Sequence, residues 1–498
     1  MTATAEAAPP GASGGSAASP SPAWANRSRN VEVGLLALAM MIVLLFAAAV
    51  DAGTLDEITP QFWIPTAVLS AFFLGTHLAV RFLAPYADPV MLPAIALING
   101  VGVTFLHRID LADLQLKQVD SAGPFDGLGF RQLLWTALSL ILAVVVLRLV
   151  RDHRALSRYA FTLGLAGLVL VLIPAVLPDS MSKVNNAKLW IKLGPFSIQP
   201  GEFAKIALLV FFAYYLVRKR EVLSLASRKF LGIEFPRGRD LGPVLVVWAM
   251  SLLVLVFEKD LGTSLMYFGM FVATIYIATE RVSWLIIGLT LFSGGVYLAY
   301  VLGGAIGGPF ANFRVRADIW LDPFSDASGD GFQPVRALFG LGTGGLFGAG
   351  AGAGHPRSIP EVQNDFISAG LGEEIGLFGL IALLIVYLMV VERGLRAAIG
   401  VHDAFGKLFA GGLAFTLGLQ VFVIVGGVST LIPLTGQTTP FLSAGGSSLM
   451  ANWILLALLI RISDAARRPA SSQPAGQGGG PSGQGPAKLQ DLHTEVIR

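Results

Sequence analysis

The chain has no cysteine among its 498 residues, which excludes a disulfide framework, a thiolate metal site and a cysteine nucleophile together. Charge is scarce as well. Asp, Glu, Lys and Arg make up 13% of the sequence against 54% hydrophobic residues, and the net charge is only +3, so the composition points to no nucleic-acid partner. The six histidines, at 77, 107, 153, 355, 402 and 493, include no H-x-x-x-H pair of the kind a helical zinc site needs. What is abundant is apolar surface: the mean hydropathy of +0.68 lies well above what a soluble core requires. The expected fold class is therefore an all-α polytopic membrane protein.

Residues 1–30 are Ala, Pro, Ser and Gly with almost no large apolar side chain, and are expected to form a disordered tail. Residues 31–463 are expected to form the membrane domain, and 464–498 a second, Gly- and Gln-rich disordered tail. At roughly 20 apolar residues per span, about twelve candidates emerge. They lie near 33–50, 62–84, 90–106, 131–150, 159–177, 201–217, 241–257, 262–279, 283–303, 366–391, 405–429 and 447–462, among which short runs such as 90–106 and 447–462 meet the length requirement least well.

The Lys and Arg residues test that count. Arg148, Arg151, Arg154 and Arg158 follow the fourth span; Arg218 to Arg239 follow the sixth; Arg393, Arg396 and Lys407 follow the tenth; Arg461, Arg467 and Arg468 follow the twelfth. All are even-numbered exits, so the positive-inside bias puts them, and both termini, in the cytoplasm. The odd-numbered exits then face outward, and the longest of these loops, 304–365, is expected to carry function.

The motifs with chemical content all fall on that outer side. Pro200-Gly201-Glu202-Phe203-Ala204-Lys205 opens the sixth span, with Glu202 and Lys205 one helical turn apart and able to pair. They read either as an interfacial anchor or as a cation held for a phosphate. Gly340-Leu341-Gly342-Thr343-Gly344-Gly345 matches G-x-G-x-x-G, but no strand precedes it, so close packing of a glycine-rich loop is the better account. Arg314, Arg316 and Arg336 share the long loop with Asp318 and Asp322. Singly each reads as a local ion pair; as a group they suit a pyrophosphate. Asp365 stands where that loop meets the tenth span, and reads as an N-terminal cap or, partly desolvated beside Phe366, as a general base with a raised pKa. Glu373 and Glu374 lie two turns deeper among Gly370, Gly372, Gly376 and Gly379, as a buried polar tie or an intramembrane functional pair.

Taken in order, these residues resemble the SEDS family, the FtsW/RodA/SpoVE-type proteins, in the form that has two extra N-terminal helices before a ten-helix core. The resemblance runs from Trp190 through Gln199-Pro200, Glu202 and Lys205 to Asp260-Leu261-Gly262-Thr263, Arg316 and Asp322-Pro323. It continues through Gly344-Gly345, Pro360-Glu361 with Asp365-Phe366, Glu373-Glu374, and the segment from Pro433 to Ser448. Gly201, Asn364, Glu258-Lys259 and Ala444 depart from the family's usual residues.

The resemblance implies an inverting peptidoglycan glycosyltransferase of the cytoplasmic membrane, polymerising lipid II at the outer face for cell elongation or division, beside a class B penicillin-binding protein. It implies Asp365 as the catalytic residue, and Glu202, Lys205, Arg316, Asp260, Ser443 and Ser447 as substrate-binding residues. No tightly bound cofactor is implied, although a divalent cation, magnesium or manganese, is a candidate beside the pyrophosphate. A lipid II flippase and a non-catalytic scaffold for the penicillin-binding protein are the alternative functions.

Overall fold

A computed structural model describes residues 22–58, 63–116, 127–184, 187–193, 196–224, 226–230, 233–236, scattered positions between 242 and 250, 260–307 and 310–469. The expected tails beyond these bounds, and most of the candidate span 241–257, lie outside the described residues. Among the described residues, 11 helices are long and apolar enough to cross a membrane, and the protein is a multi-pass membrane protein.

The long helices are α1 (Pro22–Leu55), α2 (Trp63–Leu83), α3 (Met91–Gln115), α4 (Gly127–Leu149), α5 (Ala160–Val176) and α6 (Pro200–Ser224). After the seventh candidate come α7 (Leu261–Thr279) and α8 (Val282–Ala305), then two shorter helices, α9 (Ala311–Leu321) and α10 (Phe332–Gly344). The chain closes with α11 (Ile367–Gly400), α12 (Ala404–Val428) and α13 (Gly446–Arg467). The all-helical expectation holds for the bundle, while three two-stranded antiparallel sheets among the described residues, one of them Ile191–Leu193 with Phe196–Ile198, lie between its helices. The long loop is also more ordered than a sequence of turns, because α9 and α10 occupy much of it.

Two tail boundaries need correction. Helix α1 starts at Pro22, inside the segment expected to be a tail, because Arg29 is buried and bonded to Glu32 and to the Ala87 carbonyl. At the other end α13 runs on to Arg467, where Arg467 meets Asp88 and Arg468 meets Asp464 at 2.6 Å.

Burial explains why α3 and α13 were the hardest spans to read. They are the central helices, with 89% and 83% of their spanning windows buried, against 17% for α8 at the perimeter. A perimeter helix must be apolar all round to face lipid, whereas a central one can carry polar groups provided each finds a partner. Thus Asn99 donates to the Phe441 carbonyl at 2.9 Å, and Asn452 to the Ser448 carbonyl at 2.9 Å.

Helix α11 breaks at Gly376, whose backbone (φ 68°, ψ −175°) is non-helical. The glycine-rich run fills the break: Leu377 and Phe378 donate their N–H groups to the carbonyls of Gly345 and Leu346 at 3.0 and 3.1 Å. A Cβ on Gly344 would stand 2.0 Å from the Gly372 carbonyl, and one on Gly348 2.1 Å from that of Glu374, so only glycine admits this approach. The packing account of the motif is the one observed. Glu374 is tied to Arg108 at 2.8 Å, and Arg108 donates on to the Gly352 and Gly354 carbonyls at 3.0 and 2.7 Å.

Candidate active site

The segment 430–445 between α12 and α13, which carries Ser443 of the expected site, is the hub on which the candidate residues converge. From α9, Arg316 donates to the Leu434 carbonyl at 2.8 Å and Trp320 to that of Thr430 at 2.9 Å. Gly436, with φ of 72°, then lies between two charges. A Cβ built on it would be 3.6 Å from a guanidinium nitrogen of Arg316 and 4.0 Å from Oδ2 of Asp365. The positive φ calls for glycine, while a Cβ here would make only ordinary van der Waals contact with the two charged groups.

Asp365 does not cap α11, which corrects the plainer of its two expected roles. The helix starts one residue later, with Phe366 at the N-cap position and no side-chain cap. Its carboxyl stands instead at the end of a turn whose shape is set by others. Glu361, at φ 54°, accepts from Asn364 Nδ2 at 2.6 Å and from Gln363 Nε2 at 3.2 Å. Ser443 accepts from the Thr439 N–H at 2.9 Å and donates to the Asn364 carbonyl, while the Ala444 N–H reaches the Gln363 carbonyl at 2.8 Å. Ser443 therefore braces the turn that carries Asp365, and Ala444 contributes through its backbone. Burial, with the Glu361 carboxylate adding repulsion, raises the Asp365 pKa to about 7 against the opposing pull of its own N–H and of Arg316.

Asp260 approaches from a third direction. It caps α7, accepting from the Thr263 N–H at 3.1 Å and from the Thr263 hydroxyl, and Thr263 in turn accepts from Gln437 at 3.1 Å. Burial raises its pKa, with Thr263 and Arg316 pulling the other way. Ser447 accepts from the Gln199 N–H at 3.0 Å and so joins the start of α6 to that of α13.

The expectation that Lys205 offers its charge to a phosphate is corrected by its surroundings. Its ammonium has three donors and uses them on Glu202 Oε2 at 2.7 Å, Gln420 Oε1 at 2.8 Å and Asn452 Oδ1 at 3.2 Å, with both charged side chains buried. Gln420 continues toward the hub through the Thr438 carbonyl at 3.4 Å. Lys205 is thus a tie between α6, α12 and α13. Gln420 and Asn452 were absent from the expected site, although a polar residue in the middle of an apolar run was a signal that could have found them.

The arginine group separates. Arg314 lies 3.6 Å from Asp318 and over the Tyr300 ring, and Arg336 lies over the Phe332 ring, so only Arg316 reaches the hub. Two cavities flank the hub. One of about 330 Å³ is lined by Arg316, Trp320, Gln333 and Thr430. The other, about 440 Å³ and almost wholly apolar, opens between α10, α11 and α12. No group of three His, Asp or Glu side chains that could hold a metal occurs among the described residues.

The chain as a whole is similar to known proteins. A family model described as "Cell cycle protein", that of FtsW, RodA and SpoVE, matches residues 89–468. The chain is 47% identical over 449 residues to the peptidoglycan glycosyltransferase RodA of Mycobacterium tuberculosis, covering 90% of this chain and 92% of that one. It is 33% identical over 338 residues to the stage V sporulation protein E of Bacillus subtilis, covering 67% and 86%. Among solved structures, a chain from a study titled "Structural coordination of polymerization and crosslinking by a peptidoglycan synthase complex" superposes with a TM-score of 0.54 at 25% identity, over 73% of this chain and 97% of that one.

Proposed function

We infer that this chain, which belongs to the FtsW, RodA and SpoVE family, is a peptidoglycan glycosyltransferase with Asp365 as its general base. The observation that carries this assignment is the convergence of a raised-pKa carboxyl and one guanidinium on either side of Gly436. Lipid II is the proposed substrate, and a class B penicillin-binding protein the proposed partner.

In the proposed step, ionised Asp365 takes the proton of the GlcNAc 4-hydroxyl on the acceptor. That oxygen bonds to the anomeric carbon of the donor strand from the face opposite the leaving group, the bond from that carbon to the pyrophosphate oxygen breaks, and the electron pair departs with the polyprenyl pyrophosphate. Configuration inverts and no covalent enzyme intermediate forms. A base poised near pH 7 suits the task. Negative charge grows on the pyrophosphate as the bond breaks, and Arg316 is the cation of the hub that can oppose it. Asp260 and Ser447 are proposed to shape the polar side of the substrate site, with Glu202, Lys205 and Ser443 holding the hub in place. The apolar cavity suits the polyprenyl chain. Magnesium or manganese is proposed only as a counter-ion brought with the pyrophosphate.

The positive-inside bias supports cytoplasmic termini and an outward-facing hub. Of Glu373 and Glu374, the pair a transport function would use, Glu374 is engaged by Arg108, and this favours the enzyme over the flippase. The test is polymerisation of lipid II by the purified protein, with and without a class B penicillin-binding protein. Wild type is expected to form glycan strands and Asp365→Ala to form almost none. Strands made at near wild-type rate by Asp365→Ala would refute the assignment.

A further inference from the structure

At the end of the bundle remote from Asp365, where α11 finishes and α12 starts, lies a third cavity, of about 440 Å³, which the glycosyl-transfer chemistry does not use. Its wall carries four arginines, Arg151, Arg154, Arg461 and Arg468, against two carboxylates, Asp152 and Asp464. The formal balance is four minus two, a net +2, before either His153 or His402 is counted.

The bonding of these groups separates spent charges from available ones. Arg461 is spent: it donates to the carbonyls of Val150 at 2.8 Å, Leu83 at 2.7 Å and Leu147, closing the C-terminal ends of α2 and α4. Arg468 is paired with Asp464 at 2.6 Å. Arg151 is exposed and has no ion pair among the described residues, while Arg154 touches a carboxylate only at 3.4 Å, through Nε to Asp403. A second observation comes from inside the cavity. His153 is 1% exposed, with Nε2 bonded to Asp403 at 2.8 Å and Nδ1 left with no hydrogen-bond partner; the nearest carboxylate oxygen, of Asp152, is 3.7 Å away. A buried ring nitrogen without a partner is costly unless a ligand meets it.

We propose that this cavity binds a phosphate-bearing anion, contributed by the headgroup of an anionic phospholipid. The lipid source is favoured by the residues that flank the lining in the sequence. Leu149, Tyr159 and Ile399 are large and 61–80% exposed, and lie two residues from Arg151, five from Arg154 and three from His402 in the sequence. As exposed apolar residues at helix ends close in sequence to the basic wall, they offer surface to acyl chains, and basic residues beside such surface are the recognised setting for anionic headgroups. The guanidinium forks of Arg151 and Arg154 match phosphate oxygens, and the partnerless Nδ1 of His153 belongs to the same wall.

The test uses the full chain in nanodiscs of phosphatidylcholine with a minor fraction of phosphatidylglycerol, followed by mild detergent extraction and quantitation of retained lipid. Wild type is expected to retain phosphatidylglycerol above its bulk fraction. Arg151→Ala/Arg154→Ala is expected to lower the retention constant about 30-fold, which is about 2 kcal/mol for two arginines at a membrane surface. Arg158→Ala, on the same connection but outside the cavity wall, is expected to leave it unchanged. A parallel arm adds inorganic phosphate in phosphatidylcholine alone. Thermal stabilisation there that the double variant abolishes would keep the phosphate site and reassign its source to the free ion. Equal retention by wild type and the double variant, with no phosphate effect, would overturn the proposal, as would an equal loss in Arg158→Ala.

Discussion

The Asp365→Asn exchange tests the catalytic assignment through pH. With a pKa of about 7, Asp365 is roughly one-tenth ionised at pH 6 and nine-tenths at pH 8, so a rate that needs the carboxylate rises about tenfold between them and levels above. An ordinary carboxyl near 3.8 would be ionised throughout and give a flat profile. Asparagine keeps the size of the side chain but cannot accept the proton, and should lower kcat/KM by about 10²–10⁴ while erasing the slope. The stability effect has the opposite sign. A carboxyl whose folded pKa is raised favours folding below about pH 4, and loses that contribution as pH rises through 7, so at pH 8 the wild type carries a cost that asparagine lacks. The shift of 7 − 3.8, or 3.2, sets that cost at no more than about 4 kcal/mol, reduced by solvent screening of a partly exposed group. The assay is initial rate of lipid II polymerisation from pH 5.5 to 9, with thermal unfolding of each variant at pH 8. A flat wild-type profile, or an asparagine variant within tenfold of wild type, would refute the reasoning.

Other consequences follow from the same geometry. Lys205→Met leaves Glu202 buried beside unpaired amides and should destabilise by about 3–5 kcal/mol, whereas Glu202→Gln/Lys205→Met should recover much of that loss, read as thermal unfolding in a double-mutant cycle. Gly436→Ala places a side chain at φ 72°, at a strain of about 1–2 kcal/mol. Its Cβ also enters the gap between Arg316 and Asp365, so activity should fall further than unfolding measurements account for. Asp403 is held at about 2: burial alone would raise it, but the His153 hydrogen bond, the Gly406 N–H and the charges of His153 and Arg154 prevail. Its contribution is present above about pH 4 and lost as pH falls through 2, so Asp403→Asn should destabilise at pH 7 and match wild type at the acid limit.

Much of the membrane architecture was legible because the bilayer imposes it on the chain directly. A lipid-facing helix such as α8 must be apolar all round, and an extended apolar run such as that of α1 can be counted without knowing its neighbours. The central helices α3 and α13 were harder, since partners supplied from far along the chain allow Asn99 and Asn452 to sit at membrane depth. The order of the short motifs was equally legible, and led to the family.

Side-chain assignments divided along a different line. Composition and local spacing determined that Glu202 and Lys205 share a face and that Asp365 stands at a loop–helix boundary, because these depend on helical geometry within a few residues. Whether Lys205 faces a substrate or is saturated depends on Gln420 and Asn452, 215 and 247 residues away. Whether Asp365 caps a helix or is a base with a raised pKa depends on where α11 begins and on the burial and charges that the fold gathers around it. A pKa reports desolvation and neighbouring charge, both properties of packing. The sequence by itself therefore determined the membrane fold and the order of the motifs and set the proposed base at a loop–helix boundary, and only the tertiary structure decided which charged groups are tied up by partners and which are not.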